Sequence, residues 1–188
     1  VPKPRPPAFF APLVQHYHTM SIALQPYSSL RYVRATPHAV FPFRAPQHTD
    51  FLDVDSVEVG LPRTGWNLIG DPETTKQHPK NYVDGQFSMP FVAAVALREG
   101  RMGWDDYANH LDDDETLALC RRVRANVDDR CEAVFPDNMS GVARVALAGG
   151  SSFAEMVVTP QGEPDNFLST AEMLGQFNTL VAPYLAES

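Results

Sequence analysis

The feature that most constrains this chain is a change of hydrophobic period partway along it. In the run Asp55, Ser56, Val57, Glu58, Val59, Gly60, Leu61 the apolar residues alternate, which sets Val57, Val59 and Leu61 on one side of a strand with a single buried face. Further on, Met89, Val92, Ala93, Ala96 and Leu97 recur at helical spacing and make one apolar stripe. Ser88 can cap that helix, Pro90 fits its first turn, and Gly100 can take the left-handed stop. A sheet face and a helix stripe that both need burial are satisfied by stacking one on the other. The spacing therefore predicts an α+β fold of two layers.

The remaining signals fill in that plan. Residues 142–148 and 152–158 are β-prone and separated by Gly149 and Gly150, a hairpin signal that makes the sheet mainly antiparallel. Asp112 with Glu115 resembles a capping box for a helix over 115–123, which together with 88–99 is expected to cover one face of the sheet. Residues 104–111 read as a short helix and 123–127 as a strand. A helix starting at Thr36 is expected to be short, because Pro42 ends or kinks it within two turns. Residues 62–85, with Gly, Pro, Asn and Asp throughout, read as a long loop of the kind that is functional or leans on something else. Ser169 and Glu172 form a full capping box for a last helix. Its stripe of Met173, Phe177, Leu180, Val181 and Tyr184 is wider than a small domain covers, so self-association through 169–185 is expected.

With 188 residues, 44% of them hydrophobic, the chain suffices for one domain with a core, or one domain with an appendage. Five of the first twelve residues are proline, which forbids helix there and suggests an extended strap or cut connection, and thus a fragment. No run approaches the roughly 20 apolar residues of a membrane span, and no signal-peptide core follows Val1. A soluble, cytoplasmic protein without a membrane partner is expected. The formal charge of -8 repels polyanions, which argues against nucleic acid, but a local pair such as Arg31 and Arg34 can still hold a small anion. Cys120 and Cys131 read as free thiols.

Site candidates each carry a plainer alternative. Arg31 and Arg34 can grip a carboxylate through bidentate guanidinium contacts, or can be solvated or paired with the abundant acids. His78 and Lys80 can border an active-site mouth or be ordinary loop residues. His16 and His18, with Asp53 or Asp55, could ligate a metal, although a place on the strap explains them more simply, and no metal is expected. Ser88 reads as a helix cap rather than a nucleophile, since no nucleophile-elbow turn surrounds it. The sequon at Asn138 and Ser140 carries no weight without a secretory context, and Gly149 and Gly150 make a turn, not a phosphate cradle.

The segment from Asp84 to Gly100, containing Gly85, Gln86, Phe87 and Ser88, resembles the Ala-Arg-Phe-Ser segment and Ala-rich helix of the MmgE/PrpD family of carboxylate lyases and isomerases. Gly162, Glu163, Pro164, Asp165 and Asn166, followed by Ser169, Gln176 and Phe177, resemble that family's terminal segment. Gln25, Pro26 and Tyr27, with Arg31 and Tyr32, are similar to its Lys-Pro-Tyr segment. The resemblance implies a lid domain over residues 21–165 behind a strap or linker over 1–20. It also implies a terminal helix over 166–188 that packs on an all-helical domain, missing here or supplied by a separate chain. The activities it suggests are those of a dehydratase, decarboxylase or epimerase on a small di- or tricarboxylate such as 2-methylcitrate or cis-aconitate, by acid-base chemistry without a cofactor. The isolated chain is then expected to be inactive and to form a homo-oligomer. Position in the resemblance adds Gln25 and Tyr27 to Arg31, Arg34, His78 and Lys80 as substrate-binding candidates. Gln25 and Gln176 stand where the family commonly has lysine, and Phe167 where it has proline. Two candidate cations are therefore gone, which opens the alternative of a non-catalytic anion-binding or assembly subunit.

Overall fold

A computed structural model describes residues 21–44 and 51–185. The strap over 1–20, with His16 and His18, lies outside the described residues. Strand β1 (Val54–Leu61) is the frame of the sheet, pairing parallel with β2 (Val123–Val127) on one side and antiparallel with β3 (Gly141–Leu147) on the other. Strand β4 (Ser152–Val157) closes the hairpin on β3, and the order is β2-β1-β3-β4. The hairpin turns through Gly149 and Gly150, with Gly150 at φ 84°, where glycine carries no steric penalty. One pairing of three is parallel, so the sheet is mixed rather than purely antiparallel. The parallel neighbour requires a long crossover between β1 and β2.

The alternation read in β1 sets the register. Val57 faces Val123 and Val145, and Val59 faces Ala125 and Ala143, all buried. Glu58 and Arg144 pair across the opposite, exposed face. A buried valine face beside a charged one leaves room for helices on one side only.

That side is covered by α1 (Ala35–Arg44), against β3 and β4, and by α5 (Met89–Glu99), which packs on α1 and β2. Helix α1 is longer than Pro42 suggested, since it continues two residues past the proline to Arg44. The α5 signals hold in detail. The Ser88 hydroxyl accepts from the Phe91 amide at 3.0 Å, and Gly100 takes the left-handed stop at φ 67°.

The crossover folds more than its loop-like composition suggests. It contains α2 (Arg63–Ile69), α3 (Glu73–Lys76) and α4 (Tyr82–Gln86) before α5, then α6 (Asp106–His110) and α7 (Asp114–Cys120). Each is a turn or two that gains its stability from packing rather than propensity. Helix α7 is capped by Asp113, whose carboxylate accepts from the Thr116 amide at 2.8 Å, one residue later than the sequence spacing predicts. It packs on α5 rather than directly on the sheet. After β2 comes the short α8 (Asp129–Val134) and, after the hairpin, α9 (Thr170–Leu185). Among the described residues no helix is long and apolar enough to cross a membrane.

Candidate functional site

Residues 25–30 run in extended and bent backbone and need outside support to hold a shape. One support comes from Gly162, whose carbonyl accepts from the Leu24 amide at 2.8 Å. Gly162 sits at φ 93°, and a Cβ there would lie 2.3 Å from the Leu24 carbonyl oxygen. Only glycine allows this approach. A second support is Tyr107, buried in α6, whose hydroxyl donates to the Ser28 carbonyl at 2.5 Å. Gly85 in α4 leaves room for that ring, since its Cβ would come within 3.0 Å of Tyr107.

Glu163 completes the latch. Arg31 forks onto its carboxylate, Nε meeting Oε1 at 2.8 Å while Nη2 engages Oε2, and Arg34 Nη1 approaches Oε1 at 3.3 Å. The hydrogen bond to Glu163 holds Arg31 more firmly protonated than usual, whereas burial pulls Arg34 the other way. The Arg34 side chain is 2% exposed and that of Arg31 41%. Both candidate anion-binding arginines thus already hold a carboxylate of the chain itself, and only Arg31 keeps an edge toward solvent.

The latched segment forms one wall of a cleft. A cavity of about 400 Å³ lies between Gln25, Tyr27 and Ser28 on that wall, Gln86 and Phe87 at the end of α4, Trp104 in the loop before α6, and Gln176 with Leu180 on α9. A second cavity of about 260 Å³ adjoins it, sharing Tyr27, Ser28, Trp104, Gln176 and Leu180 and adding Arg101. Gln176 bridges the walls, its Nε2 donating to the Gln25 carbonyl at 2.7 Å. Trp104 is braced by Tyr82 and Tyr107 at centroid distances of 5.9 and 6.5 Å. Burial, with the nearby Glu172 carboxylate, pushes the Tyr27 phenol up to about 12, so it stays a neutral hydroxyl.

Of the residues singled out from sequence, Gln25 and Tyr27 line this cleft. Arg31 and Arg34 lie behind it on Glu163. His78 and Lys80 are exposed between α3 and α4 and line neither cavity; His78 Nδ1 lies 3.1 Å from the Thr74 carbonyl, and the Lys80 amide donates to Asp84. Gln86, Trp104 and Glu163 were not singled out. Glu163 sits inside a recognisable motif, but its partner is 132 residues away and only the fold joins them.

Among the described residues no three His, Cys, Asp or Glu side chains are grouped to hold a metal. Burial pushes Cys120 up to about 12 and raises Cys131, so neither thiol is an ionised nucleophile at neutral pH. The cleft can position and shield a ligand through amides, hydroxyls and an indole. Its described lining offers no carboxylate, imidazole or lysine for proton transfer.

Comparison with curated proteins gives no match. Comparison with protein families gives one that spans most of the chain: the MmgE/PrpD C-terminal domain matches residues 27–188. The match takes in the latched segment from Tyr27, the α4–α5 junction, the Gly162 turn and α9, the elements that build the cleft. The chain therefore belongs to the MmgE/PrpD family, as its C-terminal domain.

Proposed function

We propose that this domain is the lid of a lyase or isomerase acting on a small carboxylate, closing over an all-helical domain that carries the groups for proton transfer. The observation that carries the reading is the cleft: it is braced from several sides and lined with hydrogen-bonding side chains, yet its described lining contains no carboxylate, imidazole or lysine. A surface so built orients a substrate and excludes water while chemistry is done from the other side. Gln25 and Tyr27 face the substrate. Arg31 and Arg34 act behind them by fixing Glu163 and hence the wall, and Arg31 keeps an exposed edge. The exposed side of α9 is the docking surface for the helical domain or another copy of the chain, in a cytoplasmic, membrane-free assembly.

The placement of Gln25 and Gln176 together in the cleft favours a second reading, a non-catalytic binding or assembly subunit. Turnover of 2-methylcitrate and cis-aconitate by the chain, alone and with the all-helical domain of a family member added, separates the two. The lid reading expects no turnover by the chain alone and turnover in the mixture that falls about tenfold in Tyr27→Phe, as loss of one oriented hydrogen bond does. Turnover by the chain alone would contradict it, and a silent mixture in which the two parts nonetheless bind would favour the second reading.

A further inference from the structure

The two adjoining cavities have one charged side chain among their described lining residues, Arg101. That guanidinium is paired on one edge with Asp106, Nη1 donating to Oδ2 at 2.9 Å and Nη2 lying 2.8 Å from Oδ1; Asp106 is fully buried, and the arginine, 59% exposed, keeps its other edge open. Behind the wall Arg31 and Arg34 share Glu163. Every arginine close to the cleft is thus offset by a carboxylate of the chain.

A further charge whose field reaches the cleft is negative. Glu172, at the start of α9, is held ionised by hydrogen bonds from the Ser169 hydroxyl and amide, and its field reaches Tyr27. A carboxylate entering the cleft would shed water, would meet as its cation an arginine already neutralised by Asp106, and would face this anion. The same lining suits a neutral polar ligand. Gln25, Gln86 and Gln176 each carry a donor and an acceptor, Tyr27 remains a neutral phenol, and Trp104 offers a half-exposed ring. Gln176 spends its amide nitrogen on the Gln25 carbonyl, and its Oε1 makes no hydrogen bond among the described residues. An amide oxygen in that position accepts from N–H or O–H and repels a carboxylate.

We infer that the cleft binds an uncharged, hydrogen-bonding group, an amide or hydroxyl-bearing end of a small molecule, and not a carboxylate. This rests on the lid reading and narrows it: the substrate presents a neutral polar end to the lid, and any carboxylate it carries is held outside this domain.

Two probes with one carbon skeleton test the inference, the neutral diamide succinamide and the dianion succinate, each titrated into the full chain at constant ionic strength. The readout is the indole N–H resonance of Trp104, assigned with Trp104→Phe, and the side-chain amides of the three glutamines. Trp66 serves as the internal control, because its indole donates to the Ala125 carbonyl at 3.0 Å away from the cleft. Succinamide is expected to shift Trp104 saturably with Trp66 unmoved, at a Kd at least about tenfold below that of succinate. In the double variant Gln25→Lys, Gln176→Lys, which adds two cations at accessible positions, the preference is expected to reverse. Succinate binding as well as or better than succinamide to the wild type would overturn the inference while leaving the cleft a ligand site and the lid reading intact. An unchanged preference in the double variant would also overturn it. A Trp104 resonance that neither probe moves would remove both the inference and the reading of the cleft as a substrate surface.

Discussion

Gly162 and Glu163 show what a short motif can do that neither its composition nor its spacing explains. The run from Gly162 to Asn166 was legible as a family-like signature, but the reason for it was not, because its partners Leu24, Arg31 and Arg34 lie more than a hundred residues away in sequence. Gly162→Ala should destabilise the domain by more than about 2 kcal/mol in urea unfolding, since it combines a positive φ with a 2.3 Å clash against backbone. Glu163→Gln should cost about 3 kcal/mol, because it leaves the Arg34 guanidinium, 2% exposed, buried without a counter-charge. A loss below 1 kcal/mol in either variant would show that the latch does not hold the segment. Gln25, Tyr27 and Gln176 were placed by motif position, and they do line one cleft. Gln86 and Trp104 carried no signal of their own, since a side chain that lines a cavity made by four separate segments has no local pattern.

Elements were more legible than sites because their signals are local. The α5 helix was readable from Ser88 to Gly100, since cap, stripe and stop all lie within it. Ser88→Ala should cost about 1–2 kcal/mol, as it removes both the cap to Phe91 and a bond to the Lys76 carbonyl that ties α3 to α5. The strand over 123–127 was legible, but its parallel pairing and the short helices α2, α3 and α4 were harder to read, because tertiary packing, not propensity, decides them. At α7, Asp113 caps rather than Asp112, and here geometry makes a pH prediction. Burial works to raise the Asp113 carboxyl, but hydrogen bonds from the Thr116 amide and hydroxyl and from Arg98 outweigh it and hold the group below its ordinary 3.8. A carboxylate with a depressed folded pKa contributes stability that is complete above its unfolded pKa and is lost as pH falls through the folded one. The Tm of the wild type should therefore drop on acidification below about pH 4 more steeply than that of Asp113→Asn, followed by circular dichroism. Parallel curves would show that this cap does not contribute to acid sensitivity.

At the scale of the molecule, the sheet and its helical cover close on themselves, but α9 does not join them. Phe177 is 56% exposed and Tyr184 80%, and Leu174, Leu180 and Leu185 are exposed beside them. The helix is held mainly by its cap, the Gln161–Glu172 contact and the Gln176 bridge. Its apolar stripe was legible in sequence; whether the domain would cover it was not, since that depends on how much sheet face α1 and α5 already occupy. Burying each such side chain in an interface is worth about 2 kcal/mol. In sedimentation velocity the wild type should self-associate at high concentration and Phe177→Asp should remain monomeric; a wild type that stays monomeric would rule out α9 as a self-association surface. The central claim, that this domain is a lid whose cleft side meets the rest of an enzyme, is tested most directly by hydrogen–deuterium exchange of the chain with and without the all-helical domain of a family member. Protection confined to α9 and to the cleft segments around residues 25–30, 86–87 and 100–104 is the predicted result. Protection of the exposed sheet face around Glu58 and Arg144, or no protection at all, would contradict the account.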